Sequence, residues 1–261
     1  PQTVFGQYAV EDSEEACLEL NVWAPAAALA GDGRPRPIIF YIHGGAGKLM
    51  SAHDDDYSGQ KLAATQGCVY VACNYRLGVL GFLAHPALSD EDEAAAPAAE
   101  RGVGCYAVLD QLAALRWVRQ HGRSFGGDVD NVTIWGLSSG AQYVATLLVS
   151  PPAAGLFHRA MIQSCVDLSN VRELRAHNDI WQQATAEEWG RRFAQELGCA
   201  EVSPREELGK MRRVTTEAIV DKSWCVAATD CYEPLVDRRQ LATPASKPLT
   251  SLEALRGGRF H

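Results

Sequence analysis

Short apolar runs, separated by glycine, proline and polar residues, recur along the first two thirds of the chain. Residues 38–42 (I-I-F-Y-I) and 69–73 (V-Y-V-A-C) are continuously apolar, which is typical of parallel strands that are buried on both faces. Residues 17–23 (C-L-E-L-N-V-W) instead alternate, and this period of two predicts a half-buried strand with Leu18, Leu20 and Val22 on one face.

In the middle of the chain, apolar residues recur at helical spacing beside further strand patterns. Residues 108–118 carry apolar side chains three and four positions apart, which predicts an amphipathic helix that ends at Gly126-Gly127-Asp128. Residues 132–135 are β-branched and aromatic and predict the central strand, and residues 160–163 predict a further strand. Because strands alternate with helices, the pattern predicts an α/β fold with a largely parallel sheet.

The polar stretches predict the connections and the later helices. Residues 89–100 are acidic and rich in alanine, and we interpret them as a solvated surface loop. Thr185 and Glu188 form a capping-box pattern that begins a helix running to Gly198. Residues 203–206 (S-P-R-E) predict a second cap with proline at the first helical position. No linker separates these segments, so we expect residues 1–261 to belong to one domain.

Candidate chemistry lies where the central strand ends. Residues 136–140 (G-L-S-S-G) follow that strand directly, and apolar residues at helical spacing follow at 144–148. Strand, G-x-S-x-G and helix together predict a nucleophile elbow, in which Ser138 stands on a sharp turn with its hydroxyl exposed. Glycines on either side allow the strand and the helix to approach closely, and the helix N-terminus offers free N–H groups to a developing negative charge.

Composition narrows the function classes. The 261 residues are 47% hydrophobic, enough for a substantial core, and the net charge of −8 argues against nucleic acid or an anionic membrane as the main partner. No apolar stretch predicts a transmembrane segment. No C-x-x-C or H-E-x-x-H pattern occurs, so we expect no metal site. We interpret Cys68, Cys73 and Cys165, which lie in apolar strands, as small buried side chains.

Six stretches of the sequence resemble those of a known protein family. The chain resembles the type-B carboxylesterase and cholinesterase family of α/β-hydrolases, in the same order over about residues 14–260. The matching stretches are CLELNVWAP (17–25), PIIFYIHGGAG (37–47), VACNYRLGVLGFLA (71–84), LDQLAALRWV (109–118), FGGDVDNVTIWGLSSG (125–140) and GLFHRAMIQS (155–164).

The resemblance implies an α/β-hydrolase fold with a mostly parallel central sheet flanked by helices. Family members are roughly twice this length. We therefore expect residues 1–261 to be a partial domain that lacks the N-terminal start and the C-terminal half. The resemblance also favours a secreted or ER-lumenal location.

The resemblance further implies a carboxylic ester hydrolase that acts on small-molecule esters without a cofactor. Ser138 would be the nucleophile that forms an acyl-enzyme, and the backbone N–H groups of Gly45, Ala46 and Ser139 would form the oxyanion hole. Most relatives have glycine at position 46, but a backbone donor tolerates alanine if φ permits. Ser139 replaces the usual alanine, and the role needs only its N–H group.

Other positions depart from the family pattern. Leu137 stands where relatives commonly have glutamate, which argues against choline-type substrates more than against ester hydrolysis. Cys17 matches half of a family disulfide whose partner would precede Pro1. Cys199 matches half of another, but Lys210 stands at the position of its partner, so we do not expect this disulfide.

The partners of Ser138 in a triad are not evident. In α/β-hydrolases an acidic residue and then a histidine follow the serine in the chain. We interpret His158 and His177 as structural, and relatives use the residue at His43 to support the oxyanion loop. We therefore expect both the acid and the base beyond residue 261. Asp230 and Asp237 are available carboxylates, but we interpret Asp237 as a structural turn residue, and His261 is the last residue of the sequence.

Two alternatives remain beside ester hydrolysis. A catalytically inactive binding or adhesion module uses the same fold, although such relatives usually lose the serine that this chain keeps. An acyltransferase would share the acyl-enzyme and differ only in excluding water.

Overall fold

The computed structural model describes residues 16–95, 102–165, 172–175, 184–226 and 235–236. These residues form one main sheet of five strands and a small sheet of two short strands. The main strands are β1 Leu20–Trp23, β2 Arg36–Ile42, β3 Val69–Cys73, β4 Gly127–Leu137 and β5 Arg159–Gln163, and the small pair is β6 Arg172–Glu173 and β7 Leu235–Val236.

At least one helix lies between each pair of successive main strands, with three in the described residues between β3 and β4, and helices predominate after β5. The helices are α1 Ala26–Leu29, α2 Gln60–Gln66, α3 Gly78–Phe82, α4 Pro86–Ala95, α5 Tyr106–His121, α6 Ser139–Val149, α7 Ala186–Glu196, α8 Pro204–Met211 and α9 Thr216–Val226.

The strand order of the main sheet is β1-β3-β2-β4-β5. Strand β1 pairs antiparallel with β3, and the other neighbours are parallel. Ile42, the last residue of β2, is in register with Gly136 near the end of β4. Because the carboxyl ends of parallel strands lie at one edge, the loop after β2 and the turn after β4 are neighbours.

The two faces of this sheet differ. On one face, Ile38, Phe40 and Ile42 of β2 pack in the main hydrophobic core with fully buried residues of α5 and α6, such as Leu112 and Leu147.

The opposite face carries an aromatic cluster. Tyr41 contacts Tyr70 and Trp135, with ring centroids 5.9 and 5.1 Å apart. The alternation of side chains along β2 produces this separation, since residues 39 and 41 point away from the helices α5 and α6.

The central predictions are confirmed with small changes of bounds. Strand β3 coincides with residues 69–73, and β2 adds two residues before the predicted run. Helix α5 begins two residues before the predicted run 108–118 and ends at His121, short of the predicted stop at Gly126, because a 3-10 turn occupies residues 122–125. Strand β4 begins at Gly127 rather than at residue 132, because it pairs with β2 along a register that shifts at Pro37 and Ile38.

Two expectations at the surface are wrong. The strand predicted over residues 17–23 begins only at Leu20, and Leu18 is 54% exposed, because β3 offers partners only to residues 20–23. Residues 89–95 are not loop but part of α4, and residues 96–100 lie outside the described residues. The acidic side chains of α4 are compensated by cations, since Arg212 binds Glu91 at 2.5 Å and Arg175 binds Glu93 at 3.1 Å.

The caps and cysteines give a mixed outcome. The capping box of Thr185 and Glu188 is confirmed in full. The second predicted cap is confirmed only in its position. Helix α8 begins at Pro204 as expected, but the Ser203 side chain makes no capping hydrogen bond. Cys68 and Cys73 are buried as predicted, whereas Cys165 is only partly buried, because it follows the exposed strand β5 rather than lying inside it.

Candidate active site

Ser138 lies on the turn between β4 and α6, as the sequence predicts. Its backbone has φ +58° and ψ −123°, in a region that residues other than glycine rarely adopt. The side chain is partly exposed at the carboxyl edge of the sheet. This strained turn is the geometry expected of a nucleophile elbow.

Glycines make the elbow possible by removing side chains where backbones meet. A Cβ at Gly140 would overlap the carbonyl oxygen of Ile42, so α6 begins in direct contact with the end of β2. A Cβ at Gly44 would lie 2.8 Å from the carbonyl oxygen of Leu137 and 3.3 Å from Ser138 Cβ. The loop after β2 therefore lies against the turn that carries Ser138.

That loop, residues 43–47, has an unusual backbone. Gly45, Ala46 and Gly47 have φ values of +100°, +55° and +67°. The left-handed conformation at Ala46 costs about 1–2 kcal/mol, so contacts elsewhere must hold the loop. The Tyr75 hydroxyl donates to the carbonyl oxygen of His43 at 2.6 Å, and the N–H of Gly78 donates to that of Gly47 at 2.7 Å.

The three predicted oxyanion donors are not used in hydrogen bonds within the described part of the chain. The backbone N–H groups of Gly45, Ala46 and Ser139 make no hydrogen bond to any described residue. Ser139 is also the first residue of α6, where the helix dipole favours negative charge. The structure thus brings the four predicted site residues, Ser138 included, to one edge of the sheet; their catalytic roles stay predictions.

Sequence reasoning missed the hydroxyl of Ser139. The N–H of Gly47 donates to Ser139 Oγ at 3.3 Å, which joins the loop after β2 to the start of α6. A serine in place of the usual alanine is the signal that could have indicated such a contact.

His43 does not serve as a base in this geometry. Its Nδ1–H donates to the carbonyl oxygen of Gly44 at 2.8 Å, and its ring stacks on Tyr75 with centroids 4.4 Å apart. Burial lowers the pKa of His43 to about 4, so the ring is neutral near pH 7. It supports the loop backbone, in agreement with its predicted structural role.

The base that would activate Ser138 is not found among the described residues. No described side chain hydrogen-bonds to the Ser138 hydroxyl. His158 accepts the N–H of Val132 at 3.2 Å, and Val132 lies six residues before Ser138 on β4, about 20 Å away. His158 is therefore structural, as predicted. His177, which the sequence also predicts to be structural, lies outside the described residues, as do Asp230, Asp237 and His261.

Three further properties concern the described part of the chain alone. Within it, no three His, Cys, Asp or Glu side chains cluster as metal ligands. Cys17 and Cys199 are free thiols there. No helix in those ranges combines the length and apolar character needed to cross a membrane.

Comparison with known proteins identifies the family. A family model described as the carboxylesterase family matches residues 1–250. Carboxylesterase 3 of Homo sapiens is 38% identical over 215 residues, which cover 82% of this chain and 33% of that protein. The para-nitrobenzyl esterase of Bacillus subtilis is 41% identical over 162 residues, covering 62% of this chain and 30% of that protein.

A solved structure supports the same assignment. The Geobacillus stearothermophilus carboxylesterase EST55 superposes with a TM-score of 0.74 at 36% identity, covering 93% of this chain and 46% of that one. The fold is the α/β-hydrolase fold, present in part. The chain spans about a third of the length of the curated relatives it matches.

Proposed function

The chain belongs to the carboxylesterase family, and we propose that the intact protein hydrolyses carboxylic esters through an acyl-enzyme on Ser138. One observation carries the proposal: the strained Ser138 turn lies against a loop whose Gly45 and Ala46 N–H groups have no partner among the described residues. Backbone donors that no described residue uses, beside a partly exposed nucleophile, favour stabilisation of an oxyanion.

The reaction proceeds in two steps. Ser138 Oγ attacks the ester carbonyl carbon while its proton passes to a base outside the described residues, and the N–H groups of Gly45, Ala46 and Ser139 bind the oxyanion. The bond to the alcohol oxygen then breaks, and the alcohol leaves with that proton. Water attacks the acyl-enzyme in the same way, which releases the carboxylic acid and restores the Ser138 hydroxyl.

The substrate class follows from the residue before the nucleophile. Leu137 ends β4 beside Ser138 and offers no negative charge to a cationic group. We therefore propose small neutral esters rather than choline-type esters as substrates.

We also propose that residues 1–261 belong to one domain. Trp189 and Phe193 of α7 pack in the same core as Ile38 and Phe40 of β2, which supports a single folding unit.

A fluorophosphonate probe tests the nucleophile in the intact protein. We expect Ser138→Ala to abolish labelling and to lower kcat for 4-nitrophenyl butyrate about a millionfold, as loss of the nucleophile does in serine hydrolases. Ser164→Ala is the matched control, because Ser164 also follows a parallel strand with a positive φ and is exposed. Undiminished labelling of Ser138→Ala would refute the proposal.

A further inference from the structure

The hydroxyl of Ser139 connects two segments that lie far apart in the chain. Ser139 is the first residue of α6 and is 5% exposed. Its Oγ accepts the N–H of Gly47 at 3.3 Å, across a separation of 92 residues. The bond therefore joins the elbow directly to the loop after β2.

Gly47 depends on this contact. The residue is buried, and among the described residues its N–H has no acceptor other than Ser139 Oγ. Its carbonyl oxygen accepts the N–H of Gly78 at 2.7 Å, at the start of α3. Gly47 is thus held from both sides, by the elbow and by α3.

The N–H groups of the two preceding residues differ from that of Gly47 in their hydrogen bonding. Those of Gly45 and Ala46 bond to no described residue, while that of Gly47, one position later, donates to Ser139 Oγ. Gly45, Ala46 and Gly47 all have a positive φ, so the loop needs contacts with other segments to hold the N–H groups of Gly45 and Ala46 in place.

We propose that Ser139 is a positioning residue, whose hydroxyl group sets the distance between the two halves of the oxyanion hole. One half is the N–H pair of Gly45 and Ala46, and the other is the N–H of Ser139 itself. A single residue then supplies one donor and also anchors the loop that supplies the others. This inference rests on the proposed function.

The expected signature is a selective effect on the transition state. The oxyanion carries its charge in the transition state and not in the bound ester, so a misplaced donor lowers kcat more than it raises KM. The bond is long for an N–H···O bond and both partners are neutral, so we expect an effect of several fold rather than orders of magnitude.

The test compares Ser139→Ala with the wild type in the intact protein. With 4-nitrophenyl butyrate we expect kcat to fall about 3- to 10-fold while KM stays within about twofold. The inhibition constant of a trifluoromethyl ketone, which forms an oxyanion adduct with the serine, should rise by a similar factor. Ser150→Ala is the matched control, because Ser150 caps the far end of α6 and its buried Oγ has no partner among the described residues.

Two results would overturn the inference. A fall in kcat of less than threefold would show that the hydroxyl does not matter for catalysis. A larger fall without weaker inhibition by the ketone would show that it acts elsewhere than on the oxyanion hole. Labelling of Ser138→Ala reports separately on the proposed function, so a failure of the esterase proposal is distinguishable from a failure of this one.

Discussion

The two most deeply buried histidines have contrasting surroundings. His85 accepts the N–H of Ala87 on Nδ1 at 3.2 Å and donates from Nε2 to Glu207 Oε1 at 2.9 Å. His43 also uses its Nδ1, but its Nε2 has no partner among the described residues. His85 therefore has a partner on both ring nitrogens, whereas His43, which lies in the loop beside the elbow, has a partner on one.

The backbone shows the same division. In the described structure, four residues other than glycine have a positive φ: Ala46, Met50, Ser138 and Ser164. All four lie in what we call the site edge, the loops that directly follow β2, β4 and β5. Helices α4, α7 and α8 contain none. Strain of this kind persists where the surroundings impose it, and it concentrates at functional sites.

Around helices α7 and α8, by contrast, hydrogen-bond donors surround a buried charge. The Glu207 carboxylate, 1% exposed, accepts from His85, from Arg191 and from the N–H of Glu201, a set that we call the Glu207 cluster. Burial alone would raise the pKa of Glu207, but these donors outweigh it and the pKa is lowered. The comparison teaches that buried polar groups around α7 and α8 are paired and contribute stability, whereas the site edge keeps backbone donors that we propose to be available for catalysis.

Removing the carboxylate is the strongest test of that contrast. We expect Glu207→Ala to lower the free energy of unfolding by about 3–5 kcal/mol, because Arg191 and His85 lose their buried partner. We expect kcat per folded molecule to stay within about twofold, measured with 4-nitrophenyl butyrate beside urea unfolding.

Glu206→Ala is the matched control, since Glu206 is exposed on the same turn of α8 and should change the free energy of unfolding by less than about 1 kcal/mol. Equal losses in the two variants, or a tenfold fall in kcat for Glu207→Ala, would break the comparison.

Acid should destabilise the site edge through His43. Burial lowers the pKa of His43 to about 4 in the folded protein, against 6.5 ordinarily. The unfolded chain therefore binds a proton first as the pH falls. The stability that the neutral His43 ring contributes to the folded protein is fully present above pH 6.5. It decreases as the pH falls from 6.5 to 4, by about 3 kcal/mol in total.

Urea unfolding of wild type and His43→Gln at pH values from 7.5 to 4.5 measures this effect. The variant should lose less stability than the wild type over that window, because it lacks the titrating group. Parallel profiles for the two proteins would contradict the assignment to His43.

The smallest expected effect concerns Ala46. Ala46→Gly should raise the free energy of unfolding by about 0.5–1 kcal/mol, because glycine adopts φ +55° without the steric penalty of a Cβ. Ala27→Gly, in the exposed part of α1, should have the opposite sign. A loss of stability in both variants, measured by urea unfolding, would show that Ala46 is not strained.

Much of the site was predictable because its parts are local in sequence. The elbow needs only a strand, a G-x-S-x-G turn and a helix in succession, and each has its own pattern. The two continuously apolar strands and the Thr185 capping box were predictable for the same reason. The acidic segment of α4 was misjudged, because its compensating cations Arg175 and Arg212 lie far away in the chain.

By itself, the sequence determined the parallel core, the position of Ser138 and the family, since these depend on residue type at short spacing. Only the tertiary structure decided which N–H groups stay free and which are used. The bond between Gly47 and Ser139 spans 92 residues, and that between His85 and Glu207 spans 122. Neither pairing follows from local pattern, because a hydrogen bond requires a separation and direction that only the packing of the sheet and helices sets.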